Sequence, residues 1–204
     1  EIKRHVPAAL DMGLEVCVGG EDASRADSDF LLQVLETAQA AGARRFRFAD
    51  TVGVMEPFGV LSIMQRLRGH SDIEIEMHAH DDLGMATANT ITAAECGVDA
   101  VSVTVNGIGE RAGNAPLEQV AMAAQTLAHR SVAVDLQKLM AICRFVARVT
   151  HRPIAVDRPV TGRTDGEAEL VWTGFQIAGG QQSAGERGAA AALHGQRIVG
   201  HQLG

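Results

Sequence analysis

The stretch Ile73-Glu74-Ile75-Glu76-Met77-His78-Ala79-His80 decides the fold of this chain. Apolar and polar residues alternate in it with a period of two, which is the pattern of a β-strand with one buried face. The two isoleucines and Met77 share one face, and the glutamates and histidines share the other. Two histidines at positions i and i+2 can direct both imidazoles at one point, as a divalent metal ion requires. The stretch therefore predicts a strand that ends in a candidate metal-binding pair.

The sequence after this strand predicts a complete βα unit. Asp81-Asp82-Leu83-Gly84 forms a turn, and residues 85–95 have the length and composition of a helix. Residues 98–105 follow as a second strand, which leads into Asn106-Gly107-Ile108-Gly109-Glu110-Arg111-Ala112-Gly113-Asn114. A strand, a helix, a second strand and a polar glycine loop form a βαβ arrangement whose chemistry lies at the carboxyl ends of the strands.

Strands and helices alternate over the first three quarters of the chain, with short connections between them. The predicted strands outside the central stretch are 14–20 and 44–50, and the predicted helices are 2–12, 29–41, 57–68, 116–128 and 136–149. Such alternation predicts parallel strands with covering helices. No Rossmann-type glycine fingerprint follows the first strand, which argues against dinucleotide binding.

The polar positions of the four predicted strands fit the interior of a barrel. They are Cys17, Gly19 and Glu21; Arg47, Ala49 and Thr51; Glu76, His78 and His80; and Ser102, Thr104 and Asn106. In an open sheet these residues would meet helices on both sides, an environment that suits charged groups poorly. Arg47 and Glu76 would face each other on neighbouring strands, and we predict an interior ion pair between them.

The composition excludes several classes of function. The chain has 204 residues, a net charge of −7 and a pI near 5.6, which indicates a soluble acidic protein with one sizeable core. Aromatic residues make up only 3% and there is no basic stripe, so we expect no nucleic-acid partner. No apolar segment is long enough to span a membrane, and no signal peptide is visible. Three scattered cysteines predict neither a disulfide framework nor a zinc ribbon, and a cytoplasmic location fits.

Four motifs resemble the isopropylmalate/homocitrate synthase family of metal-dependent, aldolase-like TIM barrels, and at each motif the nitrogen-fixation type of homocitrate synthase is the best match. The motifs are Gly19-Gly-Glu-Asp-Ala-Ser-Arg25, Arg47-Phe-Ala-Asp-Thr-Val-Gly53 with Met55-Glu-Pro-Phe58, His78-Ala-His-Asp-Asp-Leu-Gly84 and Gly107-Ile-Gly-Glu-Arg-Ala-Gly-Asn114. The resemblance covers roughly residues 1–160. It implies that this α/β chain is the C-terminal half, about four βα units, of a TIM (β/α)8 barrel.

The resemblance also implies a reaction and its partners. A divalent metal ion (Mg²⁺, Mn²⁺ or Zn²⁺) would hold a 2-oxo acid, and acetyl-CoA as co-substrate would condense with it in a Claisen-type reaction. The expected product is homocitrate, made from 2-oxoglutarate for nitrogenase cofactor synthesis, and the full-length enzyme is expected to be a homodimer. The implied site residues are His78, His80 and Asn114 for the metal, Thr51 and Gly19 for the substrate, and Glu21 for acid/base catalysis.

Part of the family pattern is absent from this sequence. The family's Arg-Asp-Gly motif, on the first half of the barrel, would supply an acidic metal ligand and an arginine, so the chain alone is expected to be an inactive half-site. We predict a partial barrel over residues 1–152 and a linker with an irregular, disordered tail over 153–204, because residues 163–204 are rich in Gly, Ala and Gln. The family's later catalytic histidine is not assigned to His194 or His201, whose surroundings do not match.

Several other functions stay open at this point. Isopropylmalate or citramalate synthesis is the runner-up, because the metal site does not choose among 2-oxo acids. A barrel hydrolase of the amidohydrolase type also uses His-x-His, but it places the pair on its first strand with more histidines later. A lyase of the same barrel family typically carries a cysteine where Glu110 and Arg111 stand. The non-enzyme alternative is an inert gene fragment. Asp50, Asp81, Glu110 and Arg111 are expected to hold loops, and no role is assigned to Asp22 or Arg25.

Overall fold

Parallel strands and covering helices alternate along the chain. The computed structural model describes residues 1–127 and 134–162. The elements are α1 (Ile2–Asp11), β1 (Cys17–Gly20), α2 (Ser28–Ala40), β2 (Arg45–Asp50), α3 (Pro57–His70), β3 (Glu74–Ala79), α4 (Ala86–Glu95), β4 (Ala100–Ser102), α5 (Leu117–Leu127) and α6 (Leu136–Val149). The strands form one parallel sheet in the order β1-β2-β3-β4. The predicted parallel α/β architecture is confirmed.

The core lies between one face of the sheet and the helices. Phe46 and Phe48 of β2 and Ile75 and Met77 of β3 are fully buried, and they occupy alternate positions of their strands. Leu35, Met64 and Leu67 pack against them from α2 and α3. The opposite faces of the same strands are therefore free to carry polar side chains, as the period-two pattern predicts.

Phe48 should be a strong determinant of stability. We expect Phe48→Ala to lower the free energy of unfolding by about 3–5 kcal/mol, because it removes a fully buried ring and leaves a cavity. Phe58→Ala is the matched control, since that ring is 80% exposed. Urea unfolding of the complete gene product measures both, and equal losses would show that the sheet face is not the core.

Two strands are shorter than the sequence predicts. β1 begins at Cys17 instead of residue 14, and Leu14 is more than half exposed. β4 ends at Ser102 instead of residue 105, because Thr104 turns to bond with the chain that returns from the glycine loop. Thr104 N donates to Ala115 O at 3.1 Å, and Leu117 N donates to Thr104 O at 2.9 Å. A short 3-10 turn at Val105–Gly107 follows.

The predicted ion pair between Arg47 and Glu76 is wrong, although the two residues do lie opposite each other in the β2–β3 register. Arg47 Nη2 instead donates to Glu21 Oε1 at 2.8 Å, and Glu76 accepts from Arg45 Nη1 at 3.1 Å. Arginine side chains lean along their strand, so each guanidinium reaches a carboxylate in a neighbouring row of the register. The two charges are therefore both paired, but with different partners.

Residues 1–162 form one compact unit. Within this unit, Ile154 packs against a small cluster that contains Leu139 and Cys143 of α6. The predicted boundary between residues 152 and 153 stays a prediction. Of the predicted linker and tail over residues 153–204, residues 153–162 belong to this unit, and residues 163–204 lie outside the described residues. Over the described ranges, no helix combines the length and apolar character needed to cross a membrane.

Candidate metal and substrate site

His78 and His80 lie together at the carboxyl end of β3. Their ring centroids are 5.0 Å apart and the rings are nearly perpendicular, at 84°. His80 is buried and His78 is half-buried. The Nδ1 atom of each ring is buried and has no hydrogen-bond partner. An unpartnered buried nitrogen is costly, so two of them at one strand end indicate a position meant for a ligand.

The glycine loop brings Asn114 to the same place. His80 and Asn114 form an isolated antiparallel bridge, and Asp81 N donates to Gly113 O at 2.9 Å. The Asn114 Oδ1 atom is also buried without a hydrogen-bond partner. Gly113 makes this approach possible, because it has φ +98° and any Cβ there would collide with Gly107 O. Three candidate ligands predicted from sequence are thus neighbours in the structure.

These three side chains fit a divalent metal ion. Imidazole nitrogen and amide oxygen are both common metal ligands, and each of the three residues has an uncommitted acceptor atom. Among the residues described, however, no three or more His, Cys, Asp and Glu side chains are grouped to hold a metal. The structure therefore offers part of a coordination sphere, and an acidic ligand would have to come from elsewhere.

The environment of His78 favours a neutral ring. Burial lowers the pKa of His78 below its ordinary value, and the neighbouring His80 lowers it further. A hydrogen bond with the backbone of Ser102 works in the opposite direction on this pKa. A neutral imidazole is the form that binds metal, and a hydrogen bond from its other nitrogen to a carbonyl is a common way to orient such a ligand.

Glu21, Thr51 and Arg47 form a second polar group beside the histidines. Thr51 Oγ1 accepts from Asp22 N at 2.7 Å and donates to Glu21 Oε2 at 3.3 Å, and Arg47 Nη2 donates to the other oxygen of Glu21. A Cβ at Gly19 would lie 3.4 Å from Arg47 Nη2 and 3.5 Å from Glu21 Oε1, which places Gly19 directly beside this group. The charges of Glu21 and Arg47 both act on the pKa of His78, so the two groups share one end of the sheet.

Three of the four residues expected to hold loops do so, whereas the exposed side chain of the fourth, Glu110, contacts the adjacent Arg111 at 3.4 Å. Asp50 is fully buried and accepts from the backbone of Val54 and Met55 at 3.2 and 3.0 Å. Asp81 Oδ1 accepts from Ala86 N at 2.8 Å, at the start of α4. The interactions of Arg111 tie the glycine loop to the two loops that precede it along the chain.

Arg111 forms a two-pronged ion pair that the sequence reasoning missed. Its Nε and Nη2 donate to the two oxygens of Asp82 at 2.7 and 2.8 Å, and Nη2 also donates to Thr51 O at 2.6 Å. The Arg111 guanidinium lowers the pKa of Asp82 by hydrogen bonding to its carboxylate. Gly53 has φ +60°, and its bare Cα allows Asp82 to approach. Asp22 and Arg25, to which no role is assigned, form a bidentate ion pair with each other.

A cavity of about 240 Å³ opens next to the glycine loop. It is bounded by loop residues 106–109 and 111–113, by residues 152–155, and by Arg158. Three of its residues are arginines: Arg111, Arg152 and Arg158. Arg111 is neutralised by Asp82, and Arg158 lies near the buried Glu118. The cavity is therefore basic on balance.

Comparison with known proteins places the chain in a family. The HMGL-like family model matches residues 1–146. "2-Isopropylmalate synthase 2" of Caldanaerobacter subterraneus subsp. tengcongensis is 43% identical over 151 residues, which are 74% of this chain and 39% of that protein. "Homocitrate synthase 1" of Nostoc sp. is 42% identical over 161 residues, which are 79% of this chain and 43% of that protein. The chain thus spans about two fifths of the length of these curated relatives.

Among solved structures, the HMG-CoA lyase of Bacillus subtilis aligns with a TM-score of 0.68 at 19% identity. The alignment covers 78% of this chain and 57% of that one. At this identity the similarity shows only that the two chains share a fold. It confirms that the four parallel strands and their helices are part of a TIM barrel.

Proposed function

The chain belongs to the HMGL-like family, and from this premise we propose that it is part of a metal-dependent synthase that condenses acetyl-CoA with a 2-oxo acid. Homocitrate is the product we favour, with 2-oxoglutarate as the oxo acid and nitrogenase cofactor synthesis as the use. The complete enzyme is proposed to be a cytoplasmic homodimer.

One observation carries this proposal. His78, His80 and Asn114 present three buried acceptor atoms without partners at the carboxyl ends of the strands, which is where barrel enzymes hold their active sites. Glu21 and Thr51 lie at the same end of the sheet. Buried polar atoms are usually hydrogen-bonded, and three unpartnered ones on neighbouring residues support a bound ligand.

The proposed roles follow from the chemistry of each side chain. A divalent ion held by His78, His80 and Asn114 would polarise the keto carbonyl of the 2-oxo acid, an effect worth several kcal/mol. The Thr51 hydroxyl would bind the substrate carboxylate next to Gly19. Glu21 would take part in proton transfer at the methyl carbon of the acetyl group. The missing acidic metal ligand, and further donors, would come from outside the described residues.

The choice of oxo acid is the least constrained part of the proposal. A 2-oxoglutarate molecule carries a second carboxylate that needs donors, and Thr51 is the clearest hydroxyl donor at the site. Isopropylmalate and citramalate synthesis stay the alternatives, because identity to the isopropylmalate synthase above equals that to the homocitrate synthase within one per cent. The motifs favour homocitrate; the overall identity does not discriminate.

The proposed reaction is tested by CoA release from the complete gene product. The enzyme is supplied with acetyl-CoA and, in separate reactions, with 2-oxoglutarate, 2-oxoisovalerate or pyruvate. We expect the highest kcat/KM with 2-oxoglutarate. A preference for 2-oxoisovalerate or pyruvate would contradict the homocitrate assignment and leave the condensation reaction standing, whereas no CoA release with any acid would contradict the reaction itself.

The basic cavity beside the glycine loop suits the phosphates of acetyl-CoA. Arg152 lines it and is exposed, and among the described residues it has no ion-pair partner. We therefore expect Arg152→Ala to raise the KM for acetyl-CoA about 10-fold, in line with the loss of a charge-assisted hydrogen bond. The KM for the 2-oxo acid should change little.

Steady-state kinetics with each substrate varied in turn measure this difference. Arg148→Ala is the matched control, because Arg148 lies over the Phe145 ring on the surface of α6 and does not line the cavity. An unchanged KM for acetyl-CoA in Arg152→Ala would place the co-substrate elsewhere.

A further inference from the structure

A buried carboxylate contacts the first residue of the glycine loop. Glu118 is in the first turn of α5 and is fully buried. Its Oε2 atom accepts from Asn106 N at 3.0 Å, and its Oε1 atom lies 3.9 Å from Arg158 Nη2. Buried carboxylates are rare unless they are paired and hydrogen-bonded, so this one needs an explanation.

Asn106, the first residue of the loop, is held from three sides. Glu118 binds its backbone N–H, and Arg158 Nη2 donates to its backbone oxygen at 2.7 Å. Its side-chain amide donates to Cys143 O at 2.8 Å, on α6. These contacts come from three different parts of the chain: α5, α6 and the segment after α6.

The held residue is in a strained conformation. Asn106 has φ +58° and ψ +14°, in the left-handed region, where residues other than glycine are uncommon. Asparagine tolerates this region better than most residues, but the conformation persists only when its surroundings enforce it. The Glu118 and Arg158 contacts to its two backbone groups provide that enforcement.

The geometry of Asn106 fixes the position of Asn114. Gly107 follows directly, and its backbone oxygen accepts from Asn114 N at 3.0 Å. The Asn114 side-chain amide also lies 3.4 Å from Ile108 O. A rotation of the backbone at Asn106 would therefore displace the residue that meets His80.

We propose that Glu118 is a positioning residue, which together with Arg158 holds the loop of residues 106–114 so that the Asn114 amide oxygen faces the two histidines. This inference rests on the proposed metal site and adds to it. It also links Arg158, which follows α6 in the chain, to that site through its hydrogen bond to Asn106 O. Outer groups of this kind typically change metal affinity 10–100-fold when removed.

The test compares Glu118→Ala with Glu118→Gln in the complete gene product. Alanine removes the acceptor for the Asn106 N–H, whereas glutamine keeps an oxygen in a side chain of nearly the same shape. We expect Glu118→Ala to weaken Mn²⁺ binding about 10–100-fold by titration calorimetry, and Glu118→Gln to retain most of the affinity. Arg158→Ala should act in the same direction as Glu118→Ala, while Arg148→Ala, on the surface of α6, should not change the affinity.

Hydrogen exchange separates this inference from the proposed function. In Glu118→Ala, the amides of Asn106 and Asn114 should exchange roughly tenfold faster or more, and amides in the β2–β3 core should not. If the wild-type protein bound no Mn²⁺, the proposed metal site would fail, and the exchange pattern would still decide whether Glu118 orders the loop. Unchanged exchange in the loop, or equal Mn²⁺ affinity in wild type and Glu118→Ala, would overturn the positioning role.

Discussion

Replacing both His78 and His80 by alanine should abolish metal binding by the complete gene product. We expect Mn²⁺ or Zn²⁺ affinity to fall by more than about 100-fold, because even the loss of groups that only orient a ligand costs 10–100-fold. The two rings are the only imidazoles at this strand end among the described residues, and both have unpartnered Nδ1 atoms. Titration calorimetry with each metal measures the change directly.

The control for this variant also replaces two histidines, but at positions away from the site. His5 and His70 lie elsewhere on the surface, where they contact Glu1 and Glu36. A His5→Ala/His70→Ala variant should bind metal like the wild type. Equal affinity in the two double variants would exclude His78 and His80 as ligands.

Glu21→Gln should lower kcat about 10²–10⁴-fold, the range expected when a proton-transfer group is lost. Glutamine preserves the shape of the side chain: its oxygen can still accept from Arg47, while its NH2 group, in place of Oε2, can donate to Thr51 Oγ1, so the contacts of the ground state largely remain. The loss should therefore appear in kcat more than in KM. CoA release at saturating substrate gives the comparison.

Glu15→Gln serves as the control for Glu21. Glu15 is an exposed carboxylate that also pairs with an arginine, Arg44, but it precedes β1 instead of following it. Its replacement should leave kcat unchanged. If Glu21→Gln changed only KM, Glu21 would be a substrate-binding residue and the proton transfer would belong to another group.

The alternation of the strands made the fold predictable from sequence. In β2 and β3 the large apolar side chains, Phe46, Phe48, Ile75 and Met77, stand at alternate positions, and all four are fully buried. The same period placed His78 and His80 on one face, and the glycine loop after β4 could be expected to reach them because parallel strands end at one edge. These features are set by local sequence and by the geometry of parallel strands.

Side-chain partners over longer distances were less predictable. The register places Arg47 opposite Glu76, but an arginine side chain is long enough to reach several carboxylates. In the structure it pairs with Glu21. Glu118 gave a misleading signal, because a glutamate in the first turn of a helix usually faces water and favours the helix dipole. The reason for its burial is visible only in the structure, where Asn106 N donates to Glu118 and Arg158 lies next to it.

The left-handed backbone conformation of Asn106 could not be predicted from the sequence either. The residue precedes a glycine, and the sequence predicted a strand up to its neighbour. The early end of β4 and the bond from Thr104 to Ala115 create the turn that demands this conformation. Such a turn depends on contacts between residues that are distant in sequence, which periodicity does not report.

The most direct test of the proposed metal-dependent site is anomalous diffraction from crystals of the complete gene product grown with Mn²⁺ or Zn²⁺. We predict one strong anomalous peak between the imidazoles of His78 and His80, within about 2.0–2.3 Å of a nitrogen of each ring, with the Asn114 amide oxygen beside it. A peak located elsewhere, with both imidazoles bonded only to protein or water, would contradict the proposed site.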